Sequence, residues 1–100
     1  EKTVTLAYSG DTDLCPDLVH LARAVDLLLA EASFICGPAL PRGIHMTGRD
    51  AGRAAADAQV GRLVLTHIPS WNDPELVKSE AATEFDGPID IARPGQVYRL

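Results

Sequence analysis

Asp26-Leu27-Leu28-Leu29-Ala30-Glu31 is a short apolar run closed at each end by an acid, with no polar alternation inside it. A strand with one wet face alternates, whereas an unbroken run of this length suits a strand covered on both faces, as in sheets built from βαβ units. Thr3 to Tyr8 reads as a second such strand, β-branched and apolar, ending at the Ser9-Gly10-Asp11 turn. Arg62-Leu63-Val64-Leu65-Thr66-His67 reads as a third and ends in a histidine.

Helical patterns separate these runs. Cys15-Pro16-Asp17 offers a start with proline in the first turn, and Leu18, Leu21, Ala22 and Val25 follow the spacing of one buried face, which predicts a helix over about 15–24. Phe34 to Gly43 is rich in proline and glycine, has no period and is expected to be a surface loop. Thr47-Gly48-Arg49-Asp50 matches a capping box with Asp in place of Glu, and Ala51, Ala54, Ala55 and Ala58 then line one narrow face suited to close packing on a sheet. After a loop from Ile68 to Asp73, Asp73-Pro74-Glu75 opens a helix through about Phe85, closed by Gly87-Pro88. Ile89 to Ala92 and Gln96 to Leu100, parted by Arg93-Pro94-Gly95, read as a last pair of short strands. The expected class is α/β, in the order β-α-β-α-β-α-β-β.

The 100 residues allow one domain with a thin core, and the 46% hydrophobic and 23% charged content is that of an ordinary globular unit. Nine Lys and Arg stand against 14 Asp and Glu, a net charge of -5 that argues against a sequence-independent grip on nucleic-acid phosphates. The longest apolar run, Val25 to Ala32, is interrupted by Asp26 and Glu31 and is far short of the ~20 residues a bilayer requires. Cys15 and Cys36 fit no CxxC metal spacing; reduced thiols are expected, with a single disulfide left open, and the expected location is the cytoplasm. Glu1 leads directly into a strand and the only methionine is Met46, so the chain is expected to be an excerpt of a longer protein.

Alternating strands and helices favour parallel pairing, which gathers the C-terminal strand ends at one edge of the sheet, where α/β proteins build their sites. Asp11, Glu31 and His67 each lie at or just after such an end, with neighbouring strands only ~4.8 Å apart. His45 stands just before the helix opened by Thr47-Gly48, whose N-terminus suits a phosphate. Carboxylates and imidazoles are zinc ligands, Asp11 is placed to bridge two ions, and Glu31 is placed to fix the tautomer of His45. Composition alone also permits plainer roles: Asp11 as a turn cap, His67 as a satisfied strand terminus, His45 as a solvated loop residue, Cys15 and Cys36 as packing groups. Trp71 reads as a loop anchor, with base stacking as the lesser alternative. Arg23, Arg49, Arg53 and Lys78 read as exposed helix charges, and His20 is given no role.

Four ordered motifs shift this balance: Tyr8-Ser9-Gly10-Asp11-Thr12, Leu28-Leu29-Ala30-Glu31-Ala32-Ser33-Phe34, His45-Met46-Thr47-Gly48-Arg49-Asp50-Ala51-Gly52 and Leu65-Thr66-His67-Ile68-Pro69. Together they resemble the C-terminal half of a metallo-β-lactamase-fold hydrolase, within the ribonuclease Z-like branch and closest to actinobacterial proteins regarded as atypical cyclic-nucleotide phosphodiesterases. The resemblance implies half of an αβ/βα sandwich, a mixed sheet with helices on one face and its other face turned to a second sheet. It implies that Asp11 is the bridging aspartate and His67 the last metal-binding histidine of a site for two divalent ions, zinc or manganese. It implies that His45 contacts the scissile phosphate and assists the leaving oxygen, with Glu31 as its supporting acid.

The family's HxHxDH motif and a further histidine are absent, so the remaining ligands are expected from an N-terminal half outside this sequence, with residues 1–100 forming the C-terminal portion of one domain. Asp11 and His67 alone are fewer than the roughly three or four protein ligands of a zinc site, so this segment by itself is expected to be nearly inactive. The intact protein is expected to cleave a cyclic nucleotide or similar small phosphodiester through a metal-held hydroxide. Expected partners are the N-terminal half, the small substrate and a second copy in a homodimer; neither a membrane nor a nucleic acid is expected. Transfer-RNA 3′-end processing and a non-catalytic α/β binding module are the alternatives.

Overall fold

The computed structural model describes residues 3–37 and 40–100. Among these, the strands are Leu6–Tyr8 (β1), Leu27–Glu31 (β2), Leu63–Thr66 (β3) and Ile89–Ile91 (β4), and the helices are Pro16–Ala22 (α1), Gly48–Ala58 (α2) and Pro74–Ala82 (α3). Strands and helices alternate, and the sheet order β1-β2-β3-β4 follows the sequence with every neighbouring pair parallel. The mixed sheet implied by the resemblance is therefore corrected for this portion: the four strands are uniformly parallel.

Register settles the faces. Ala7, Leu28 and Leu63 lie in one row across the strands, and Ala30, Leu65 and Ile91 in the next. These rows pack under the helices, and all but the partly covered Ile89 end beside Leu63 are buried. The opposite face carries Leu6, Tyr8, Leu27, Leu29 and Val64. At its β1 edge Leu6 and Tyr8 are 58% and 56% exposed, so β1 is covered on one face only and not the buried strand expected.

Helix α2 is the central packing element because it is thin. Ala51, Ala54, Ala55 and Ala58 are fully buried as their spacing predicts. Cβ atoms built on Gly48 and Gly52 would collide with the carbonyl oxygens of Val77 and Ala81, so α2 and α3 approach backbone to backbone. The capping box forms: Thr47 Oγ1 accepts from the Asp50 amide at 3.0 Å, and Asp50 Oδ2 accepts from the Thr47 amide at 3.1 Å. Aspartate at this position thus replaces glutamate without losing either bond.

Three boundaries differ from expectation. Helix α1 stops at Ala22 because Ala24 takes a left-handed φ of 59° and gives its amide to Ala58 of α2; Leu21 is exposed and not on the buried face. Helix α3 stops at Ala82, where the Thr83 hydroxyl donates to the Glu80 carbonyl at 2.6 Å. The expected fifth strand, Gln96 to Leu100, does not form. After the turn at Gly95, with φ 81°, the chain folds back over the helix-free face, where Tyr98 and Leu100 line a hollow with Leu6, Leu27 and Leu29. Tyr98 donates to the Ile91 carbonyl at 3.4 Å, a contact across the bend and not along a ladder. The loop expected over Phe34 to Gly43 begins with an isolated parallel bridge, Phe34 to Thr47; its Pro38 and Ala39 lie outside the described residues.

Candidate functional site

The C-terminal ends of β1, β2 and β3 meet at one rim of the sheet. At the end of β1, Ser9 gives its amide to the Leu29 carbonyl, and its hydroxyl accepts from the Glu31 amide at 3.0 Å, fastening β1 to β2. Gly10 then takes a φ of 61°, a conformation glycine adopts without strain, and turns Asp11 away from the sheet. At the end of β3, His67 itself adopts φ 55°, an uncommon conformation for a residue with a side chain. Its imidazole Nδ1 lies 2.8 Å from Asp11 Oδ1. Both side chains remain about half exposed, 58% for Asp11 and 49% for His67.

Glu31 closes β2 and is wholly buried. Its Oε1 accepts from the Thr12 amide at 2.9 Å and contacts His45 Nδ1 at 2.7 Å; its Oε2 accepts from the amides of Ser33 at 3.1 Å and Met46 at 3.3 Å. This buried carboxylate is fully satisfied, as burial demands. It also ties together the turn after β1, the exit of β2 and the segment entering α2. Phe34 packs edge-on against the His45 ring at a centroid distance of 5.3 Å, and the rings of His45 and His67 lie 5.6 Å apart. All four residues singled out in the sequence therefore converge in two adjoining carboxylate–imidazole pairs.

An ionised carboxylate only accepts, so Nδ1 is the donor in both pairs and each Nε2 keeps its lone pair for a ligand or a proton. Ligand atoms of Asp11, Glu31 and His45 fall within 4.8 Å of one another. Glu31 has both oxygens committed to donors, so it orients His45, and the groups left free to hold a cation are Asp11, His67 and His45. Oxygen and imidazole donors suit zinc or manganese. The donor set fits a divalent metal but does not by itself complete a site. The helix entrance is another matter: the Asp50 carboxylate sits at the α2 N-terminus, which disfavours a phosphate there and corrects that expectation.

Several supporting residues were missed in the sequence. Ser33 donates its hydroxyl to the His67 carbonyl at 2.9 Å, and Asn72 donates its side-chain amide to the Ser33 carbonyl at 3.0 Å. Asp13, nearly buried, accepts from the Gly43 amide at 2.9 Å and pairs with Arg42 at 3.1 Å, bracing the segment that carries His45. Its position two residues after Asp11 was the available signal. Trp71 is not the loop anchor expected: it is 83% exposed and Asn72 does the anchoring. Arg49 and Arg53 are exposed helix charges paired with Glu84 and Asp57. Cys15 packs partly against the core, but Cys36 is exposed and lies outside the core cluster, and both thiols are free. Partial desolvation of its sulfur, reinforced by Glu80 and opposed by the Thr47 hydroxyl, pushes the Cys36 thiol up.

A family model described as the beta-lactamase superfamily domain matches residues 1–68. The crystal structure of the metallo-β-lactamase-fold protein YhfI from Bacillus subtilis superposes with a TM-score of 0.86 at 31% identity, over 96% of this chain and 40% of that one. The chain belongs to the metallo-β-lactamase superfamily. Within it, the chain is 50% identical over 96 residues to an uncharacterized protein of Mycobacterium leprae, covering 96% of this chain and 34% of the relative. It is 40% identical over 100 residues to the ribonuclease Z of Myxococcus xanthus, covering 95% of this chain and 32% of that enzyme. The chain thus spans about a third of the length of these curated relatives of the superfamily. Among the described residues, no helix is long and apolar enough to cross a membrane.

Proposed function

We propose that this chain is the C-terminal portion of a metal-dependent phosphodiester hydrolase acting on a cyclic nucleotide or similar small substrate. The observation that carries the reading is the adjacency of the Asp11–His67 and Glu31–His45 pairs at one rim of the sheet. Asp11 and His67 would hold divalent cations, zinc or manganese, together with ligands from an N-terminal half of the same domain. Such cations supply Lewis-acid charge and a hydroxide nucleophile at neutral pH.

This chain's own residues then have separable tasks. Asp11 and His67 hold and orient, each restraining the other through Nδ1. His45, facing the same hollow of about 440 Å³ as His67, presents Nε2 to the phosphodiester. Protonated there, it gives its proton to the departing oxygen, and the buried Glu31 carboxylate offsets the charge on the ring while that proton is held. A small substrate is favoured over a polynucleotide because the chain's net charge is -5. Cytoplasmic location and a homodimer complete the proposal.

The test uses the full-length protein. Asp11→Asn and His67→Ala are expected to lower bound metal by elemental analysis and to abolish turnover. His45→Ala is expected to keep its metal and lose roughly 10²–10⁴ in kcat. Cyclic AMP and precursor transfer RNA, offered in parallel, separate the small-substrate reading from the alternative that the ribonuclease Z similarity supports. Wild-type metal content in both the Asp11 and the His67 variants, with no phosphodiester turnover in the unsubstituted protein, would leave only a non-catalytic module.

A further inference from the structure

The hollow beside the two histidines is also lined by Phe34, Ile35, Leu40 and Trp71. Its size, about 440 Å³, lies in the ~300–1,000 Å³ range of small-molecule sites. The sole tryptophan of the chain is 83% exposed, although a large ring left in water forgoes the burial that normally stabilises it. Its loop is nonetheless well braced. Asn72 bonds the Ser33 and Pro69 carbonyls, each at 3.0 Å, Ser33 bonds the His67 carbonyl, and Asp73 caps α3 through the Glu75 amide. The backbone carrying Trp71 is thus held relative to His67, while among the described residues the indole is left exposed beside the hollow, an arrangement suited to stacking.

We infer that Trp71 is the base platform of this site, stacking on the nucleobase of a mononucleotide whose phosphate meets His45 and His67. The inference rests on the phosphodiesterase reading above and assigns the part of the substrate away from phosphorus. The lining combines apolar and aromatic side chains with two imidazoles, the two kinds of group that the ring and the anion of a nucleotide call for. Base–aromatic stacking tolerates any base, so Trp71 confers a preference for nucleotides over other phosphodiesters and no choice among bases.

The test is equilibrium binding to the metal-replete full-length protein, with AMP and ribose 5-phosphate as probes that share a phosphate and differ in the base. AMP is expected to bind more tightly than ribose 5-phosphate by roughly 5- to 150-fold. Trp71→Ala is expected to erase that excess while leaving ribose 5-phosphate affinity unchanged, and Trp71→Phe to retain most of it. An AMP excess untouched by Trp71→Ala overturns the inference. So does equal loss of both probes with a lowered melting temperature, which would mark Trp71 as packing against another part of the protein. Failure of the phosphodiesterase reading shows elsewhere, as ribose 5-phosphate binding insensitive to Asp11→Asn together with no phosphodiester turnover; the AMP excess still judges Trp71.

Discussion

Glu31 does more to define the site than either exposed ligand candidate, because one buried carboxylate collects three backbone amides and an imidazole. Removing it strands those donors inside the protein. Glu31→Ala in the full-length protein is expected to cost about 3 kcal/mol or more, read by denaturant unfolding, and Glu31→Gln to cost nearly as much because an amide turns N–H groups toward N–H groups. Cys36 offers a check on local electrostatics. Desolvation and the Glu80 carboxylate hold its thiol above the free value of ~8.5, so its alkylation rate should climb with pH to a midpoint above that of a free thiol. Asp11, Glu31 and His67 were legible in the sequence because each lies at or just after the C-terminal end of an apolar run. Asn72 and Ser33 were not, since a side chain that braces a loop through a carbonyl leaves no spacing signature.

At the scale of elements, α2 shows how short side chains turn into geometry. Its alanines and glycines let it sit against both sheet and α3, and the entrance box places Met46 and His45 beside the end of β2. Gly52→Ala is expected to destabilise by ~1–3 kcal/mol, because the added methyl meets the Ala81 backbone and not a movable side chain, and thermal unfolding checks it. Thr47→Ala, which removes the cap acceptor and a buried methyl, is expected to cost about 1–2 kcal/mol in the same measurement. The capping box and the alanine stripe were readable from spacing. The early end of α1 was not: the left-handed turn at Ala24 is stabilised by a bond to Ala58, a residue 34 positions away.

For the whole molecule, one sheet face is sealed by three helices and the other is covered only in part by the returning C-terminal segment. Leu6 and Tyr8 stand exposed on that face beside Leu100. The 100-residue chain alone is expected to associate with rising concentration, and Leu6→Lys combined with Tyr8→Lys to suppress this, as sedimentation velocity would show. The order of strands and helices, and hence the rim on which acids and histidines gather, followed from the sequence alone, because apolar period and capping are properties of neighbouring residues. Only the tertiary structure decided that Gln96 to Leu100 crosses a face and does not extend the sheet, and that Asn72 and not the exposed Trp71 anchors its loop. Each of those outcomes turns on which distant surfaces meet, and residues close in sequence carry no record of that free energy.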